Sequence, residues 1–144
     1  MPKSTATCNN FLKLLYNATA WADVAENDSS GPMTNIAVAL ATASYSASST
    51  LASNEATFTN YARQNVARST SGWTAASGGS LSNVDAIEYP QCGVTGNTIT
   101  SAATGKPGGG SAEIFHYGDL NASIAVSNQI QPRFPAGAVT ITET

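Results

Sequence analysis

The sequence predicts an all-β fold, an antiparallel β-sandwich of jelly-roll-like type with one short N-terminal helix. Two patterns carry this. Apolar residues at helical spacing occur only before Trp21, where Phe11, Leu14, Leu15 and Ala18 recur on one side. After Asn35 the chain breaks into short β-branched or aromatic runs, each fenced by Gly, Pro or Asn. The length of 144 residues suits one domain with its own core and is short for two. The expected organisation is therefore a single domain over 1–144, with 1–34 as helix and arm and 35–144 as the sandwich.

The helix is expected to start behind Asn9-Asn10, whose side chains can cap it, and to reach Trp21. Asp23 to Pro32 is polar and closes on Gly31-Pro32, the signature of a loop. From Asn35 to Thr42, Ile36, Val38 and Leu40 alternate with Ala37, Ala39 and Ala41, which predicts a half-buried strand with an alanine face against something close. Ala43 to Asn60 is rich in Ser, Thr and Ala and reads as a surface connection or short edge strand. Tyr61 to Arg68 alternates again, and Ser71-Gly72 turns the chain toward Trp73. Ser82 to Tyr89 predicts a strand with Ile87 and Tyr89 on one face and Val84 and Ala86 on the other. Thr98–Ala102, Ala112–Tyr117, Ser123–Val126 and Ala138–Thr142 complete the set, and no fixed-period repeat or heptad is present.

Composition excludes several functions. Leu, Ile, Val and Phe total only 25 residues, but disorder also needs strong net charge and the formal charge is −3. Small side chains dominate instead, with 24 Ala and 58 Ser, Thr, Asn and Gly, a composition suited to close strands and polar turns. Lys3, Lys13, Arg63, Arg68, Lys106 and Arg133 are scattered, and the pI near 4.8 opposes a phosphate-tracking patch, so no nucleic-acid partner is expected. The longest apolar run, Ile36 to Ala41, is far below the about 20 residues of a membrane span, so no membrane partner is expected. Met1 to Cys8 lacks the apolar region of a secretory signal, which points to synthesis in the cytoplasm. Cys8 and Cys92 have neither CxxC nor Cys/His spacing and read as free thiols, and the sequons at Asn17, Asn27 and Asn121 occur about as often as this composition supplies by chance.

Candidate chemistry reduces to surface and packing roles. Gly105-Lys-Pro-Gly-Gly-Gly-Ser111 resembles a phosphate loop, but Thr100 and Pro107 stand where Gly and Ser or Thr are needed and no helix pattern follows, so a flexible hairpin or inter-sheet loop is expected. His116 is the sole histidine; strand alternation puts Tyr117 on the opposite face and Glu113 about 10 Å away, leaving no preassembled acid/base pair. Asp85 and Glu88 read as sheet-surface charge, and Asp23, Glu26 and Asp28 lack the order of a calcium loop. Trp21, Trp73 and the five tyrosines could stack on sugars, although packing of large aromatics is the commoner use. No catalytic, cofactor-binding or metal-binding residue is assigned, no cofactor is expected, and the chain is expected not to be an enzyme.

The order of short motifs carries more. Leu14-Leu15-Tyr16-Asn17 is followed by Ile36-Ala-Val-Ala-Leu40, then by Glu55 ahead of Tyr61-Ala62-Arg63-Gln64. Asn83-Val-Asp-Ala-Ile87-Glu-Tyr89-Pro90, Gly109-Gly110, Phe115-His-Tyr117-Gly118-Asp-Leu120 and Phe134-Pro-Ala136-Gly137-Ala-Val139-Thr-Ile141-Thr142 come next. In this colinear order the chain resembles a family of small phage structural proteins, labelled tail-fibre proteins and also met as capsid decoration or cement proteins. It departs from the family pattern at Ala41, where an aromatic often stands, and over Thr98 to Gly105.

The resemblance implies a virion structural protein. A fibre needs length, which normally comes from repeats that are lacking here, and the acidity suits an outer surface better than a DNA-filled interior. A capsid decoration (cement) protein on the capsid outer surface is therefore the preferred expectation, with the major capsid protein as partner. The alternative is a tail-fibre or tailspike-tip protein that binds a host surface glycan. Ala37-Ala39-Ala41 and Ala43 to Ala56 are the expected contact faces, and a homotrimer would match the three-fold positions of a shell.

Overall fold

A computed structural model describes residues 3–21 and 32–144. The loop expected from Asp23, with its carboxylates and the Asn27 sequon, lies outside the described residues. Helix α1 (Thr5–Tyr16) is followed by β1 (Asn35–Ala41), β2 (Gln64–Ala67), β3 (Ser80–Ser82), β4 (Ile87–Glu88), β5 (Thr98–Gly105), β6 (Ile114–Ala125), β7 (Arg133–Phe134) and β8 (Thr140–Thr142). The predicted class is what the structure shows, antiparallel β ladders with one N-terminal helix. Two compact units are built from interleaved segments, one from Met1–Asn35, Val66–Ile87 and Phe134–Thr144, the other from Ile36–Asn65 and Glu88–Arg133.

In the first unit α1 starts earlier than expected. Ser4 caps it, accepting from the Thr7 N–H at 3.2 Å, whereas the Asn9 side chain accepts from the Gly79 N–H at 2.5 Å. The buried stripe is consequently Cys8, Leu12 and Tyr16, and Phe11 is 47% exposed. Tyr16 meets Trp73 edge to face, with ring centroids 5.1 Å apart. The β3–β8 ladder pairs Leu81 with Ile141, both buried.

The strand expected over Ser82 to Tyr89 is interrupted. β3 ends at Ser82, Asn83 bridges to Trp73, and pairing resumes only at β4, which joins β7. The cause is Asn83 itself, 1% exposed, whose amide donates to the carbonyls of Asp85 (2.7 Å) and Pro135 (2.9 Å) and so bends the chain. Val84, Asp85 and Ala86 are left exposed.

In the second unit β1, β5 and β6 form most of a sheet ordered β2-β1-β5-β6. β1 is buried on both faces from Ile36 to Ala41, not on one. Ala37, Ala39 and Ala41 pack with Tyr45, Leu51 and Ala103, because the chain after β1 folds back over them. This corrects their expected role as a contact face. The stretch from Ala43 to Asn60 thereby supplies buried anchors at Tyr45, Leu51, Ala56 and Phe58, and its only strand-like feature among the described residues is the bridge of Glu55 to Ala41.

The two strands expected at Ala112–Tyr117 and Ser123–Val126 are one, β6, and the expected break is a bulge. Ile99 pairs with Ile124 but Ser101 with Asp119, so Leu120 to Ser123 swell out of the ladder. Of the two forms expected for the Gly105–Ser111 stretch the structure has the hairpin, with Gly105 ending β5 and Lys106 to Glu113 turning the chain into β6, and β2 is shorter than the expected Tyr61–Arg68 strand.

Candidate functional site

Polar side chains converge beside the end of β1 in the second unit. The bridge of Glu55 to Ala41, reinforced by the Ala56 N–H on the Leu40 carbonyl at 2.8 Å, holds Glu55 against β1. Arg63 grips that carboxylate with both arms, Nε to Oε1 and Nη2 to Oε2, each at 2.7 Å. The same guanidinium donates to the carbonyls of Gly108 (2.8 Å) and Gly110 (2.7 Å) in the hairpin loop. Gly108 and Gly110 have positive φ, which lets both carbonyls turn toward one guanidinium. A planar fork with five donors can make such a four-way junction, and an ammonium cannot. An open depression of about 540 Å³ borders the junction, lined among others by Ala52, Thr57 and Gly109.

Tyrosines extend the junction into the core. Tyr61 Oη donates to Glu55 Oε1 at 3.1 Å and accepts from the Leu40 N–H at 3.0 Å. Its ring stacks on Tyr89 at 6.2 Å, and Tyr89 Oη donates to the Val38 carbonyl at 3.2 Å. Two hydroxyls therefore satisfy backbone groups of β1, which is buried from Ile36 to Ala41. Burial raises the Tyr45 hydroxyl to about 12 and lifts those of Tyr61 and Tyr89 well above the ordinary tyrosine value. For Tyr61 the Leu40 N–H works against that rise and the Glu55 carboxylate adds to it.

A phenol that holds its proton more tightly when folded adds stability that is complete below its unfolded value, about 10, and is lost as pH rises through the folded value. Stability should thus fall above about pH 10. Tyr89→Phe should flatten that fall by about one proton, read from urea unfolding at successive pH values. An unchanged slope would clear Tyr89 of the effect.

The first unit has two comparable junctions. Asn83 Oδ1 accepts from the Val139 N–H (2.8 Å), and its backbone carbonyl accepts from the Gly137 N–H (2.8 Å). Arg68, 9% exposed, donates to Leu15 O (2.7 Å), Leu14 O (2.5 Å) and Met33 O (3.3 Å), a cation set on the last carbonyls of α1.

Residues singled out by sequence take other places. His116 lies on β6 opposite Thr104, and its backbone carbonyl accepts from Thr104 Oγ1 at 3.5 Å. Asp119 accepts from Ser101, which lowers its carboxyl pKa with help from Ser44. Asp85 and Glu88 are exposed, the latter 4.0 Å from Arg133. Trp73 is fully buried and Trp21 partly so, while Tyr117 is 47% exposed. Cys8 and Cys92 are buried thiols. Among the described residues no three His, Cys, Asp or Glu side chains gather as a metal site, and no helix is long and apolar enough to cross a membrane.

Sequence reasoning missed Arg68 and Asn83 as junctions and saw Glu55, Tyr61, Arg63 and Gly109-Gly110 only as motif letters. The structure ties the motifs to one another, Glu55 to Tyr61 and Arg63 and on to the Gly loop, and Asn83 to the Pro135–Val139 turn, and ties Leu14-Leu15 to Arg68 outside them. No individual curated protein matches the chain. A family model described as Podophage GP4 fiber I protein gp80 matches residues 3–142, almost the whole described fold. The chain belongs to that family and is a phage virion structural protein.

Proposed function

We propose that the chain serves the virion as a non-enzymatic, rigid node of the fibre apparatus. The observation that carries this is the fate of the polar junction residues: Glu55, Arg63 and Asn83 from the motifs, and Arg68 outside them, bind the chain's own backbone or each other, so these residues encode shape. The family's description as a fiber protein favours the fibre over the shell. A capsid decoration role keeps one support, the lack of any repeat that would lengthen the chain.

Deletion of the gene from the phage separates the two. A fibre node predicts particles of normal heat resistance that fail to adsorb to the host. A decoration protein predicts the reverse, particles that adsorb normally and burst at lower temperature, because a partner bound to the intact shell stabilises it by mass action. That second result would overturn the fibre reading.

A further inference from the structure

β6 is the longest strand and, among the described strands, ends the sheet with β5 as its only neighbour. It carries Ile114, Phe115, Tyr117, Leu120 and Ile124, and none of the five is buried, whereas β1 is buried from Ile36 to Ala41. Edge strands are ordinarily guarded by Lys, Pro or bulges. β6 has no Lys, Arg or Pro, and its bulges leave His116 to Asp119 in regular register with β5.

Gly118 sits inside that regular stretch. Glycine weakens a strand interior, and nothing among the described residues asks for it here: its φ is not left-handed, and a Cβ would meet none of their atoms within 4 Å. Gly96 and Gly105 differ, since a Cβ there would fall 1.8 Å from Val126 O and 2.2 Å from Glu113 O. A strand glycine inside a regular stretch, with no close neighbour of its own, is a place where another backbone can approach closely.

We propose that β6 pairs antiparallel with β6 of a second copy of this chain, about a two-fold axis through Gly118. An axis normal to the sheet keeps each residue on its own face, so only residues of equal parity can stand opposite one another. Centred on Gly118, the register sets glycine against glycine and Tyr117 against the second copy's Asp119. Centring on Tyr117 would oppose two bulky rings, and centring on Asp119 two carboxylates. The short regular stretch makes few inter-chain hydrogen bonds, so the pair is weak in dilute solution and strengthens where copies are held side by side. This contact is two-fold, unlike the trimer a shell lattice would suggest.

Directly opposed residues in an antiparallel pair lie about 4.5–5.5 Å apart at Cα, inside disulfide range. Gly118→Cys should therefore give a disulfide-linked dimer on non-reducing gels after mild oxidation. Val94→Cys, at a position 85% exposed, should cross-link far more slowly, and the buried native thiols stay silent. Gly118→Lys, whose Cβ meets no described atom within 4 Å, should weaken the dimer roughly fivefold in sedimentation equilibrium by opposing two charges, with no loss of melting temperature. The proposal is overturned if Gly118→Cys cross-links no faster than Val94→Cys, or if the wild-type chain sediments as a trimer or stays monomeric at millimolar concentration.

Discussion

Arg63→Ala is expected to destabilise the protein by about 2 to 3 kcal/mol, measured by urea unfolding at neutral pH. The Arg63 and Glu55 side chains are 11% and 20% exposed, so the pair sits between a surface ion pair, worth under about 1 kcal/mol, and a fully buried one. Removing the guanidinium leaves Tyr61 as the donor to the Glu55 carboxylate among the described residues and unties the carbonyls of Gly108 and Gly110. Arg63→Lys keeps the charge but not the fork, and should recover less than half of the loss. A deficit under about 1 kcal/mol for Arg63→Ala would mean that water replaces the guanidinium and that the junction does not brace the loop.

Asn83→Asp should cost about 3 kcal/mol at neutral pH, although it changes a single atom of the side chain. The retained oxygen can still accept from the Val139 N–H, but the group facing the carbonyls of Asp85 and Pro135 at 2.7 and 2.9 Å would become an acceptor. Two carbonyls and burial raise the folded pKa of the introduced carboxyl above its unfolded value of about 3.9. Relative to wild type, stability is therefore recovered as pH falls through the folded pKa and is lost again as pH rises through it. Thermal melts of both proteins from acid to neutral pH should show the gap narrowing toward acid. A constant gap would mean that the introduced carboxyl does not face those carbonyls.

Elements that depend on neighbours in sequence were legible. The β5–β6 hairpin with its Gly105–Ser111 loop, and the short strand at Thr140–Thr142, follow from alternation and turn residues that need no distant partner. Where a local signal had a remote competitor, the remote one won. Asn9 looked like the helix cap, but its side chain reaches Gly79, seventy residues on, and Ser4 caps instead. Asn83 looked like one letter of a continuous strand, yet its bonds to Pro135 and Val139 end β3 there.

The candidate site was hardest to read because its parts share no element. Arg63 lies eight residues from Glu55 and more than forty from Gly108 and Gly110, and no periodicity links them. The sequence by itself determined the all-β class, the single helix, the two free thiols and, through the order of its motifs, the phage structural family. Tertiary structure alone decided which face each residue serves. A stripe such as Ala37-Ala39-Ala41 fits a packed interior and a partner's surface equally well, since a methyl group has no preference strong enough to choose, and only the return of Tyr45 and Leu51 over it puts it inside.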